Sequence, residues 1–214
     1  MYIDLFLKGG DLTEDEVIDG LFRAIDARIN GICVPDYFVP LVRSILPKNM
    51  ILSTPVDYPS GNLDSKVRQH QLLSVIKKGI TAADIVINPH NICHKRIKSL
   101  TDDICSIIEI SNKYDITIRV MLEYRLFSLT KLEPILKIIN EAKVEYVFPS
   151  TGNMIDDYMD NLIFAAKIGK KYPNINMITN GNIWQKKQYD TIKKSEIFGM
   201  RLHSSNALTT IFGV

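Results

Sequence analysis

The chain has 214 residues, 46% of them hydrophobic and 23% charged, with a formal net charge of +2. That is enough for one domain with a core of useful size, and the composition is that of a globular protein rather than a disordered or fibrous one. The small net charge lacks the basic footprint of a nucleic-acid binder.

The lysine pairs Lys77–Lys78, Lys170–Lys171, Lys186–Lys187 and Lys193–Lys194 are scattered, as solvated helix faces and ends are. Three cysteines, Cys33, Cys93 and Cys105, make an odd set without a CxxC, so neither a disulfide framework nor a zinc site is expected. Acidic, strand-like sequence directly after Met1 argues against a signal peptide. No apolar run approaches the ~18 residues of a membrane span. The expected compartment is the cytoplasm, with reduced thiols and no membrane or nucleic-acid partner.

Strand and helix signals alternate from the start. "YIDLFLK" (2–8) is a short apolar run. "LTEDEVIDGLFRAIDA" (12–27) then opens on Thr13 with Glu16 three residues on, a capping box, and sets Val17, Leu21 and Ile25 on one face. "GICVP" (31–35) and "MILSTPV" (50–56) read as the next two strands. "LDSKVRQHQLLSVIKKG" (63–79) reads as a helix beginning near Asp64 and ending on Gly79 as its C′ residue. "ADIVINP" (83–89) follows as a strand. "SLTDDICSIIEISNKY" (99–114) carries Ile104, Ile107, Ile108 and Ile110 on a broad apolar face. "TIRVMLE" (117–123) is a strand. "LTKLEPILKIINEAK" (129–143) is a helix with Pro134 expected near its first turns, where proline is tolerated best. "EYVFPS" (145–150), "INMIT" (175–179) and "FGMRLHS" (198–204) complete the strands. "IDDYMDNLIFAAKIGKKY", "WQKKQYDTIKKSE" and a short closing "SNALTTIFGV" complete the helices.

Each strand is short and apolar at most positions, the mark of burial on both faces in a parallel sheet. Regular βα alternation implies right-handed crossovers. Eight units favour an α/β fold of one kind, a single-domain (β/α)₈ TIM barrel over residues 1–214 with short loops.

In such a barrel the chemistry lies at the C-terminal strand ends. Those ends offer Lys8, Pro35–Asp36, Asp57–Tyr58–Pro59, Asp84 with Asn88, Arg119 with Glu123, Ser150–Thr151–Gly152, Asn180–Gly181–Asn182 and Ser204–Ser205. "STG", "NGN" and "HSS" each set small or hydroxyl residues at an expected helix start, where free N–H groups and the helix dipole favour an anion. The expected phosphate-binding residues are Thr151, Gly152, Gly181, Asn182, Ser204 and Ser205. Singly, such loops are also ordinary caps or tight turns.

Asp84 lies inside an apolar run, so its carboxylate needs a partner or a raised pKa. It is a candidate proton shuttle. Arg119 and Glu123 share strand parity and are candidate partners for it, or a structural ion pair. Lys8, at the end of the first run, is a candidate amine or a solvated lysine. His90 and His94 lack the glutamate of a zinc-protease helix, and no metal site is expected. Cys33 reads as a small buried hydrophobe.

The run of motifs resembles the deoxyribose-phosphate aldolase family along nearly the whole chain. "YIDLFLKGGDLTEDEV", "GICVPDYFVPLV", "STPVDYPSGN", "SKVRQHQLLSVIKKGITAADIVIN", "IRVMLE", "PSTGN", "ITNGNI" and "HSSNAL" stand in the family's order and spacing. The resemblance implies a (β/α)₈ class I aldolase without metal or other cofactor, expected as a homodimer. Its reaction is cleavage of 2-deoxyribose 5-phosphate to glyceraldehyde 3-phosphate and acetaldehyde through a lysine Schiff base. Asp84 matches the family's catalytic aspartate. Gly152, Gly181, Ser204 and Ser205 match phosphate-loop positions. The lysines do not carry over. The Schiff-base position is Phe148, the second active-site lysine is Ile178, the lysine of the fifth strand is Arg119, and the second glycine of the late pair is Asn182.

Four functions follow as expectations. The first is a lyase-family pseudoenzyme that binds a small phosphorylated sugar or similar anion. The second is an active aldolase with a relocated lysine such as Lys8. The third is an isomerase or epimerase using Asp84, Arg119 and Glu123. The fourth is a structural or regulatory oligomer.

Overall fold

The eight apolar runs form eight parallel strands in a computed structural model that describes residues 1–214. They are β1 (Tyr2–Phe6), β2 (Gly31–Cys33), β3 (Ile51–Val56), β4 (Ala82–Val86), β5 (Thr117–Met121), β6 (Tyr146–Phe148), β7 (Asn176–Thr179) and β8 (Gly199–Leu202). Each pairs with its neighbour in chain order and β1 closes on β8, with Asp4 opposite Arg201. The expected (β/α)₈ barrel is the observed fold. All five residues of β4 are buried, as the unbroken apolar run required.

The outer ring is α1 (Glu14–Asp26), α2 (Val39–Ile45), α3 (Ser65–Lys77), α4 (Pro89–Cys93), α5 (Ile97–Tyr114), α6 (Leu129–Glu141), α7 (Tyr158–Lys171), α8 (Lys186–Lys194) and α9 (Ser205–Phe212). The expected capping box forms: Glu16 N–H donates to Thr13 Oγ1 at 3.3 Å, and Thr13 N–H to Glu16 Oε2 at 2.8 Å. Asp64 caps α3, and Gly79 follows it with φ +95°, a conformation that costs a side chain and is free to glycine.

Two local readings change. Pro134 is the sixth residue of α6, past the first turn. The carbonyl it cannot serve belongs to Thr130, an exposed residue, where solvent is at hand to offset the missing bond. Helices α2 and α4 carry no sequence signal long enough to read. Pro40 and Pro89 open them, and they span only seven and five residues.

Two apolar bodies result. The larger lies between barrel and helices and includes Leu5, Leu21, Leu52, Leu72, Val120 and Leu202. The smaller sits inside the barrel: Val86, Met121, Phe148 and Ile178, flanked by Tyr2, Tyr58 and Tyr146. No helix is long and apolar enough to cross a membrane.

Candidate functional site

Strand parity decides what enters the lumen. Asp4, Cys33, Ser53, Asp84, Arg119 and Arg201 are all buried, and they meet in its middle. Arg119 Nε donates to Asp84 Oδ1 at 2.6 Å, and its Nη1 to Asp4 Oδ2 and the Tyr2 hydroxyl, each at 2.8 Å. Its Nη2 donates to Ser53 Oγ. Arg201 Nε donates to Asp4 Oδ1 at 2.9 Å, and its Nη2 reaches Asp4 Oδ2 and Asp84 Oδ2, each at 2.7 Å.

Two guanidiniums thus face two carboxylates without access to water. A buried set of this kind holds together because its charges are matched two to two and bonded to one another, Arg201 Nη1 alone lacking a partner among the guanidinium nitrogens, and it punishes removal of any one member. Burial alone would push the Asp4 carboxyl up; the Arg201 and Arg119 guanidiniums more than reverse this and hold it below its ordinary range. Burial opposes the charge on Arg119, but Asp84 foremost fixes it and raises its pKa. Burial pushes the Cys33 thiol well up, so it stays protonated and donates to Asp84 Oδ2 at 3.3 Å.

Phe148 roofs this network. It is fully buried, with its ring centre 4.0 Å from Arg201 Cζ and 5.3 Å from Arg119 Cζ. Such cation–π contacts are worth about 0.5–2 kcal/mol each, with desolvated ones at the upper end. Ile178, in the same apolar cluster, is likewise fully buried. Both oxygens of the Asp84 carboxylate are engaged by arginines beneath this roof.

The proposed partnership of Asp84, Arg119 and Glu123 separates. Arg119 binds Asp84 directly. Glu123 lies beyond the end of β5 with a left-handed φ of +53°. Its Oε2 accepts from the Thr151 amide at 3.2 Å and from the Thr151 hydroxyl. Glu123 is therefore a clasp between two barrel loops.

At the C-terminal ends of β1 to β3 is an open cavity of about 520 Å³ whose lining includes Phe6, Lys8, Pro55, Tyr58 and Asn153. Lys8 is half-buried and donates through Nζ to the Gly152 carbonyl. Burial lowers its pKa, against a smaller opposing pull from the Glu123 carboxylate. The Tyr58 hydroxyl is buried without a hydrogen-bond partner, and the Tyr58 ring meets Phe6 edge-on at 5.3 Å. An amine therefore does stand at the mouth, though not at the position of Phe148.

His203, two residues after Arg201 and just past the end of β8, has its Nε2 2.9 Å from the Asn180 carbonyl. The carbonyl only accepts, so Nε2 carries the proton and Nδ1 keeps a lone pair, which is buried without a partner. Burial foremost, then the Lys8 and Arg201 charges, push its pKa down to about 3. Gly152, with φ +69°, lies flat against this ring, and a Cβ there would overlap His203 Cε1 and Nε2.

The other expected anion residues are placed as follows. The amide and hydroxyl of Thr151 are both spent on Glu123. The Asn182 amide donates to the Asp156 carbonyl at 2.9 Å. Gly181 packs against α7, where a Cβ would come within 2.7 Å of Tyr158 Cα. Ser204 is the exposed N-cap residue of α9, with no cap bond from its hydroxyl, and Ser205 begins that helix. The Thr151 and Asn182 amides are thus spent within the protein, and the free donors are fewer than the sequence promised.

Asp4 and Arg201, central to the lumen, escape a reading made motif by motif. Their only signal is parity: Asp4 alternates with Phe6 and Lys8, and Arg201 with His203.

No family model matches the chain. Among curated proteins, the deoxyribose-phosphate aldolase of Histophilus somni (strain 2336) is 26% identical over 215 residues, covering 100% of this chain and 93% of its own. The deoxyribose-phosphate aldolase of Microcystis aeruginosa is 25% identical over 170 residues, 79% of this chain and 74% of its own. Among solved structures, the aldolase QR15 superposes with a TM-score of 0.88 at 18% identity, over 98% of this chain and 92% of its own. The deoxyribose phosphate aldolase of Aeropyrum pernix gives 0.83 at 17% identity, over 98% of this chain and 87% of its own. The likeness to deoxyribose-phosphate aldolases holds in sequence along the whole chain, and the barrel is the fold they share.

Proposed function

We propose that this barrel binds a small phosphorylated sugar or a comparable anion at its C-terminal mouth, and that it does not run the lysine Schiff-base reaction of the aldolases it resembles. Phe148 is the observation that carries this. On the resemblance, Phe148 and Ile178 stand where those enzymes keep their two active-site lysines, and here both are sealed in an apolar cluster. Imine formation needs an unprotonated amine with a clear path to a carbonyl. A phenyl ring packed on two guanidiniums offers neither.

Anion binding is supported by the Lys8 ammonium beside the mouth cavity, by the unpartnered Tyr58 hydroxyl and by the Ser204–Ser205 start of α9. The test pairs two measurements. Deoxyribose 5-phosphate, ribose 5-phosphate and inorganic phosphate are compared for their effect on the melting temperature. The sugar phosphates are expected to raise it, because a ligand that binds only the folded state stabilises it. If none does, the anion site is lost. Borohydride is then added with an aldehyde panel, and the intact mass is expected to stay unchanged.

A second reading rests on Lys8 itself, whose half-buried amine with a lowered pKa stands at an open cavity. A borohydride adduct mapped to Lys8 would replace the first reading with that of a lyase using a relocated amine.

A further inference from the structure

A second cleft, of about 490 Å³, opens outside the barrel between the start of α3, helix α4 and the first turns of α5. It shares no residue with the mouth cavity, and Leu63 is its one hydrophobic wall. Asn62, Asp64, Asn91, Arg96, Ser99 and Asp103 are among the groups that face it.

The charge beneath this cleft does not balance. Arg68, 1% exposed, lies between two carboxylates: its Nη1 is 2.5 Å from Asp103 Oδ2 and its Nε 3.4 Å from Asp57 Oδ2. Its remaining Nη2 donates to the Val86 carbonyl at 2.5 Å. One cation thus serves two buried carboxylates, whereas the lumen matches two with two. The remainder shows at Asp103, which is 4% exposed and whose Oδ1 has no hydrogen-bond partner. Arg96, on the cleft wall, is exposed to solvent. An unmatched buried carboxylate oxygen is costly, and a positively charged donor from outside offsets that cost.

We propose that this cleft is a binding site for the primary ammonium group of a small polar amine, such as an amino alcohol or amino sugar, with Asp103 Oδ1 as the acceptor. An ammonium has three donors and no acceptor. Asp103 Oδ1 takes one. The side-chain carbonyls of Asn62 and Asn91 and the second oxygen of Asp64, whose Oδ1 already accepts from the Lys66 amide at 2.9 Å, supply acceptors for the others. The amide and hydroxyl lining suits neighbouring hydroxyl groups and gives an apolar ligand little to hold. Two carboxylates, Asp64 and Asp103, stand against one fixed cation, Arg96, with His90 and His94 also on the wall, a balance that disfavours phosphate while the histidines are neutral.

The test uses ethanolamine as probe, with ethylene glycol as its uncharged match and choline as a cation without N–H donors, at equal ionic strength on the full chain. Ethanolamine is expected to raise the melting temperature while the other two do not, and Asp103→Asn to lose the response. Because that variant also weakens the Arg68 pair and can fail to fold, Ser99→Lys is the second arm. Residue 99 lies one turn before Asp103 on α5 and lines the cleft, so a lysine there is spaced to pair with the Asp103 carboxylate. Ser99→Lys is expected to raise the melting temperature by about 2–4 °C without any ligand and to abolish the ethanolamine response. An equal response to ethylene glycol or choline overturns the ammonium assignment. So does a Ser99→Lys protein with the wild-type melting temperature and an intact ethanolamine response.

Discussion

Replacing Arg201 by methionine tests the lumen network most directly. The guanidinium makes three contacts of 2.7–2.9 Å to Asp4 and Asp84. Its loss leaves one arginine for two carboxylates at full burial. Breaking a buried ion pair in this way costs about 3–5 kcal/mol, because a charge is stranded. Methionine roughly keeps the volume, so the packing term is small. For a chain of this size, about 2–4 °C is lost per kcal/mol, giving a melting temperature lower by roughly 6–20 °C.

The loss should depend on pH in a definite direction. In the wild type the Asp4 carboxyl lies below its ordinary range, so its contribution is present above the unfolded pKa and disappears as pH falls through the folded one. In Arg201→Met the stranded carboxylate is relieved by taking up a proton, so the deficit against wild type shrinks towards acid. Adding Asp4→Asn leaves Arg119 with Asp84 alone and restores the balance. Urea unfolding of wild type, Arg201→Met and Asp4→Asn/Arg201→Met at pH 8 and pH 5 measures all three. The account of the network fails if Arg201→Met costs under about 1 kcal/mol, or if the double variant is no more stable than the single one.

Phe148→Ala removes the lumen roof and two cation–π contacts, and should cost about 3–5 kcal/mol in urea unfolding; a loss under about 1 kcal/mol would mean that the ring is not a packed roof. His203 gives a pH signature of the opposite kind to a matched histidine. Its pKa is pushed down to about 3, so the folded chain binds fewer protons than the unfolded one between there and about 6.5, and stability falls as pH drops through that window. His203→Gln keeps a donor for the Asn180 carbonyl and should flatten the slope by up to about 1.4 kcal/mol per pH unit. Identical slopes for the two proteins would show that His203 does not resist protonation.

How far the sequence alone reaches can be traced in particular residues. The unbroken apolar run around Asp84, the Thr13–Glu16 box and the Asp64 to Gly79 helix are local patterns. Local patterns decide element type, because periodicity and caps act over a few residues. Eight such units in alternation leave the closed barrel as the economical way to bury every strand. The motifs also placed Phe148 and Ile178 where amines were expected, and the structure buries both.

The ion network was out of reach. Asp4 and Arg201 are 197 positions apart and meet only because the barrel closes and the register of β1 on β8 sets them side by side. Glu123 shared its parity with Arg119, yet a left-handed backbone turn carried it out of the lumen to Thr151. The cavity beside Lys8 belongs to the tertiary structure in the same way, since the loops after β1, β2, β3 and β6 all contribute to its lining. Element type is encoded within a few residues of each position. Which charges share a lumen, and which lysine faces an opening, depends on closure and register, and these exist only once the whole chain has folded.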